Sequence, residues 1–181
     1  MAQWFAQTEA SLRASGRTSP LIEQEVEHRF FVEGIEYCLR CRADRIDRDT
    51  QGNLYIVDYK SGSVPSGTAV SEGLSPQLSL EGALIERGAF ESLDKGANIN
   101  RLEYWQVDGK NAGGTIKAVP RKTSSAEEIK TVIEESWAML VGLVAKYQNP
   151  DEAFKARVVR QGDYIHLARQ DEWEGRSVGS D

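Results

Sequence analysis

Residues 42–62, "RADRIDRDTQGNLYIVDYKSG", constrain the fold more than any other stretch of the chain. "RDTQGN" sets Asp49, Gly52 and Asn53, which tolerate tight or left-handed backbone, between two runs of strand-forming residues, and so predicts a hairpin. In the run after the turn, Leu54, Ile56 and Val57 are apolar on both sides of the two-residue strand period. A strand of that kind belongs inside a sheet covered on both faces. The same strand ends in Asp58 and Lys60, which share one face, with Tyr59 on the other.

The flanking sequence extends the sheet. "LIEQEVEHRFFV" and "EYCLRCRADRI" both read as strands, the second with Tyr37, Leu39, Cys41 and Ala43 alternating against Cys38, Arg40, Arg42 and Asp44, which puts Asp44 on the polar face. A Gly/Ser/Pro-rich loop then leads to "PQLSLEGALIERGAF", where Leu78, Ala83 and Leu84 have helical spacing, Ser75 is the expected cap and Pro76 suits the first turn. "NRLEYWQVDGKNAGGTIKAV" predicts a second hairpin, turning at Asp108-Gly109 or Gly113-Gly114. A long amphipathic helix opens with a capping box from Ser124 or Ser125 to Glu127 or Glu128, repeats Ile129, Val132, Ile133, Trp137, Leu140, Val141, Val144 and Tyr147, and stops at Asn149-Pro150. Residues 2–14 form a shorter helix ended by Ser15-Gly16. The fold class expected is α/β: a mixed central β-sheet flanked by helices.

A chain of 181 residues, 40% hydrophobic, suffices for one domain spanning 1–181. No apolar run approaches the ~20 residues that cross a bilayer, and the N-terminus lacks a basic region followed by an apolar core, so the expected location is cytoplasmic, away from membranes. The net charge of −6 argues against autonomous nucleic-acid binding through charge alone. Lys60, Lys117, Arg121 and Lys122 remain as candidates for a local groove. Cys38 and Cys41 form a lone C-x-x-C on a strand, where residues three apart face opposite ways, and no second pair completes a zinc set. Structural or surface roles are expected for His28 and His166.

If "CRADRI" pairs with "LYIVDYK", Asp44 comes near Asp58 at one end of the sheet. Two carboxylates so placed repel unless a cation joins them, and an all-oxygen site suits Mg²⁺ or Mn²⁺. With Lys60 alongside, the chemistry implied is metal-assisted phosphodiester hydrolysis. The plainer alternative is a surface hairpin on which Asp58 and Lys60 form a solvated ion pair.

Taken together, "ADRID", "IVDYKSG", "GLSPQLSLEGALIERGAF", "RLEYWQV" and "YIHLARQDEWEG" resemble the nuclease domain of the RecB-like branch of the PD-(D/E)XK superfamily, and within it the AddB subunit of AddAB helicase-nucleases. The resemblance implies a restriction-endonuclease-like core. It also implies that Asp44 and Asp58 are metal ligands, that the backbone carbonyl of Tyr59 is a third, and that Lys60 is the catalytic lysine. Gln77 falls where these domains carry a glutamine beside the site, and Glu25 matches an upstream acidic position that Glu23, Glu27 or Asp47 would fill equally on charge. The function implied is a Mg²⁺- or Mn²⁺-dependent DNA exonuclease domain acting on DNA ends in double-strand break repair, partnered by the helicase subunit of an AddAB-type complex. The alternative is a non-catalytic nuclease-fold module for DNA binding or subunit docking. The family's N-terminal "G-x-x-x-H" histidine does not precede the strands, so the chain reads as an N-terminally trimmed piece of a larger polypeptide. No cysteine follows Cys41, so no iron-sulfur cluster is expected.

Overall fold

The computed structural model describes residues 2–107 and 113–153. Helix α1 (Ala2–Ala14) leads into two long strands, β1 (Thr18–Val32) and β2 (Ile35–Arg48), and then into β3 (Leu54–Lys60). Helices α2 (Gly67–Ser71) and α3 (Gln77–Glu86) carry the chain over to β4 (Ile99–Gln106), which β5 (Thr115–Val119) and the long α4 (Ala126–Gln148) follow. The strands lie in the order β1-β2-β3-β4-β5, with β3 and β4 parallel and the other neighbours antiparallel. This is the mixed sheet with flanking helices that the sequence predicts.

The hairpin turn is built as its residues suggest. The Asp49 side chain accepts hydrogen bonds from the backbone N–H groups of Gln51 and Asn53, and Gly52 takes a left-handed φ of 85°. Beyond it Leu54, Ile56 and Val57 are wholly buried, which makes β3 the central strand. One face of the sheet presents Ile46, Leu54, Ile56 and Leu102 to Leu78, Leu84 and Ile85 of α3 and to Ile129 and Ile133 of α4. Each such side chain contributes ~1.5–3 kcal/mol by leaving water. On the other face Trp105 is edge-on to Trp4 and Phe5 of α1, so the N-terminal helix closes that side.

The caps of two helices differ in kind. At α4 the Glu128 N–H donates to Ser125 Oγ (3.2 Å) and the Ser125 N–H donates to Glu128 Oε2 (3.0 Å), the reciprocal box read from the sequence. At α3 the cap is Pro76 rather than Ser75, and no side chain closes it. Helix α2 is pinned by a close approach: a Cβ on Gly67 would stand 1.8 Å from the Pro120 carbonyl oxygen, so only glycine fits.

Residues 1–146 make one compact unit, and a second begins at Tyr147. Of the second, residues 147–153 are described: α4 ends at Gln148, directly before Asn149-Pro150. The expected Asp108-Gly109 turn, His166 and the "YIHLARQDEWEG" segment lie outside the described residues.

Candidate active site

β3 delivers Asp58 and Lys60 to one face at its C-terminal end, and β2 delivers Asp44 to the same place by breaking its own alternation. Ala43 and Ile46 both belong to the core although they are of opposite parity, as do Leu21 and Val26 in β1. The pairing runs from Ile22↔Arg45 to Gln24↔Ala43, which puts Glu23 across from Asp44, and Glu23 holds a left-handed φ of 51°. The strict alternation read from the sequence would leave Asp44 outward with Arg40 and Arg42. The break returns it to the face of Ile46, whose partner is Ile56, two residues before Asp58. There Asp44 Oδ2 accepts a hydrogen bond from the Tyr59 backbone N–H (3.0 Å).

Asp58 is buried, with both carboxylate oxygens engaged. Gln77, the first residue of α3, donates through Nε2 to Asp58 Oδ1 at 2.6 Å. Lys60 Nζ stands 2.7 Å from Asp58 Oδ2, as a charge contact without the alignment of a directed hydrogen bond, and donates to Gln77 Oε1 at 3.3 Å. Burial pushes the Asp58 carboxyl above its ordinary range and Asp44 adds to this, while Lys60 and Gln77 oppose it.

Two further groups complete the surroundings. Glu81, one turn along α3, is 1% exposed; its Oε1 accepts weakly from Gln77 Nε2 (3.4 Å) and its Oε2 has no hydrogen-bond partner among the described residues. Burial raises its carboxyl to about 8, reinforced by Asp58 and Asp44. Tyr104 lies beside Asp58 in the ladder, under Lys60 Nζ at 5.7 Å, with its hydroxyl pushed up to about 12 by burial and by Asp58 and Glu81. Sequence reasoning missed both. A signal for Glu81 was present, since a glutamate four residues after Gln77 in an otherwise apolar helix shares its face.

Behind the site, under α1, lies a buried charge network that sequence reasoning also missed. Arg17 donates to Asp47 Oδ2 (2.7 Å) and Glu103 Oε2 (2.8 Å), Arg45 donates to Asp47 Oδ1 (2.5 Å) and to Glu9, and Trp105 Nε1 donates to Glu103 Oε2 (3.1 Å). Arg45 also reaches the Tyr59 hydroxyl at 3.2 Å, so Tyr59 joins the two faces: its N–H holds Asp44 and its ring holds the network.

Other sequence candidates stand elsewhere. Glu25 is exposed and opposite Arg42; because Val26 packs on the core, Glu25 projects from the other face of the hairpin, away from Asp58. Glu23 and Glu27 pair with Arg42 and Arg40 on the surface, and Asp47 belongs to the rear network. His28 stacks edge-on to Trp137. Cys38 and Cys41 are free thiols, and burial, followed by Glu81 and Asp44, raises Cys41 to about 12, which keeps it protonated. Lys117, Arg121 and Lys122 line a surface hollow with Arg101, a different place from Lys60.

The donor chemistry at Asp44, Asp58 and the Tyr59 carbonyl is all oxygen, as Mg²⁺ or Mn²⁺ requires. The buried, undirected Asp58 Oδ2 and Glu81 Oε2 supply oxygens with capacity to spare. Mg²⁺ needs only one or two carboxylates, with waters and substrate completing its shell. The set therefore fits a divalent ion, although among the described residues no three His, Cys, Asp or Glu side chains are already gathered around one point.

Residues 2–164 match the model of the PD-(D/E)XK nuclease superfamily. Relatives include the uncharacterized protein RC0550 of Rickettsia conorii, 28% identical over 81% of this chain and 19% of its own length. An uncharacterized protein of Rickettsia felis is 30% identical, over 81% of this chain and 20% of its own length. The chain thus spans about a fifth of these relatives. The crystal structure of SSO0001 is similar over 77% of this chain and 58% of its own, with 14% identity and a TM-score of 0.37. With a family model covering most of its length, the chain belongs to the PD-(D/E)XK nuclease superfamily.

Proposed function

We propose that the chain is the metal-dependent DNA nuclease domain of a RecB-like, AddB-type helicase-nuclease. In this reading it is an exonuclease that hydrolyses phosphodiesters with Mg²⁺ or Mn²⁺ at DNA ends supplied by the helicase subunit of an AddAB-type complex, in double-strand break repair. The observation that carries it is the convergence of Asp44, Asp58, Lys60 and Gln77 at one end of the central strand.

Asp44, Asp58 and the Tyr59 carbonyl offer hard oxygens to the cation. When bound, the cation polarises a phosphoryl oxygen and lowers the pKa of a bound water. In this reading Lys60 stabilises charge building on the phosphate, and Gln77, which bonds both the Lys60 ammonium and the Asp58 carboxylate, keeps the two in register. The net charge of −6 suits a domain to which other parts of an assembly deliver DNA. The much greater length of the Rickettsia relatives supports a place in a larger polypeptide.

The test is cleavage of end-labelled linear DNA with Mg²⁺ or Mn²⁺. The wild-type chain is expected to cut, and Asp58→Ala to lose about 100-fold or more of the rate. A second reading, a non-catalytic nuclease-fold module for DNA binding or subunit docking, is favoured by one observation: Gln77 bonds Asp58 Oδ1 and the Lys60 ammonium stands against Oδ2, where a cation would otherwise sit. DNA binding without cleavage under either metal would select it.

A further inference from the structure

The side chain least explained by folding is Glu81. It is 1% exposed, ionisable, and leaves Oε2 without a hydrogen-bond partner among the described residues. A buried carboxyl in that condition weakens the fold relative to an apolar residue of the same size. Its neighbours give it little structural purpose: Asp58 and Asp44 repel its charge, Lys60 only partly offsets them, and its one hydrogen bond among the described residues, to Gln77 Nε2, is long at 3.4 Å. That same nitrogen is 2.6 Å from Asp58 Oδ1. One polar hydrogen-bearing atom therefore stands between two carboxyl groups, while an ammonium sits on the far oxygen of Asp58. Positive or hydrogen-donating atoms wedged between carboxylates occupy the kind of place that a shared cation takes.

We infer that Glu81 is the third carboxylate of the divalent-cation site, joining Asp58 and Asp44 when the Gln77 amide gives up its position between them. The inference rests on the proposed nuclease reading and deepens it. Glu81 is placed for this by α3, whose first turn puts positions 77 and 81 on one face toward the end of β3. Burial of the unpartnered oxygen is what makes the role specific: it has no competing partner to leave.

The experiment is a calorimetric titration of the full 181-residue chain with Mn²⁺ alone, beside thermal unfolding of each metal-free protein. The wild type is expected to bind. Glu81→Gln, nearly the same shape without the charge, is expected to bind at least tenfold more weakly while unfolding at the wild-type temperature or above, a pattern that a purely structural glutamate would not give. If Glu81→Gln does not fold, Glu81→Asp keeps the charge and shortens its reach, and the same tenfold loss is expected. Wild-type affinity in the folded Glu81 variant, with Asp58→Asn weakened, overturns the role of Glu81 and leaves the metal site of the proposed function standing. No Mn²⁺ binding by the wild type overturns both.

Discussion

At the scale of single residues, the two faces of β3 separate two kinds of buried charge. On the site face Glu81 carries a carboxyl raised from 4.5 to about 8. A carboxyl whose pKa rises on folding stabilises the folded state fully below its unfolded value, and loses that contribution as pH climbs through its folded one. Metal-free protein is therefore expected to melt at progressively lower temperature between about pH 5 and about pH 9, and Glu81→Gln to flatten the slope, as calorimetry across that range will read. Asp58, also raised by burial, keeps part of the slope in the variant. Asp58 and Lys60 were legible as neighbours because the strand period is fixed, whatever surrounds it. Asp44 was legible only in its place along the hairpin. Its face depends on the left-handed Glu23, and a glutamate in that conformation leaves no mark in a sequence.

At the scale of elements, the strands and helices were readable because each carries its own periodicity, while their caps and contacts were readable only where the partner is near in sequence. The Ser125–Glu128 box spans three residues and was visible. The seating of α2 against the end of β5 was not, since it depends on Gly67 meeting Pro120 from the far side of a crossover. Two substitutions separate these cases. Ser125→Ala is expected to destabilise by about 1 kcal/mol through the lost cap. Gly67→Ala is expected to destabilise by about 3 kcal/mol, because the clash is with backbone and no side chain can swing clear. Urea unfolding of the two variants measures both.

At the scale of the whole molecule, the sheet is held from both sides: by an apolar core under α3 and α4, and by the Arg17–Asp47–Arg45–Glu103 network under α1. Asp47 lies 30 residues from Arg17, and Glu103 lies 86 from it, distances over which charge patterns in a sequence say nothing about pairing. Removing one member leaves the others uncompensated in a dry place. Asp47→Ala is expected to destabilise by about 3–5 kcal/mol in urea unfolding, far more than loss of the exposed Arg42–Glu23 pair, worth ~1 kcal/mol or less.

Tyr59 belongs to both sides of this arrangement, with its amide against Asp44 and its ring against Phe5 and Trp105, whose centroids lie 6.1 and 5.8 Å away. The strand is in effect wired to a chromophore. The Trp4–Trp105 share of the indole emission, separated from that of Trp137 and Trp173 by a Trp105→Phe control, is expected to report on whatever pulls at the peptide between Asp58 and Lys60.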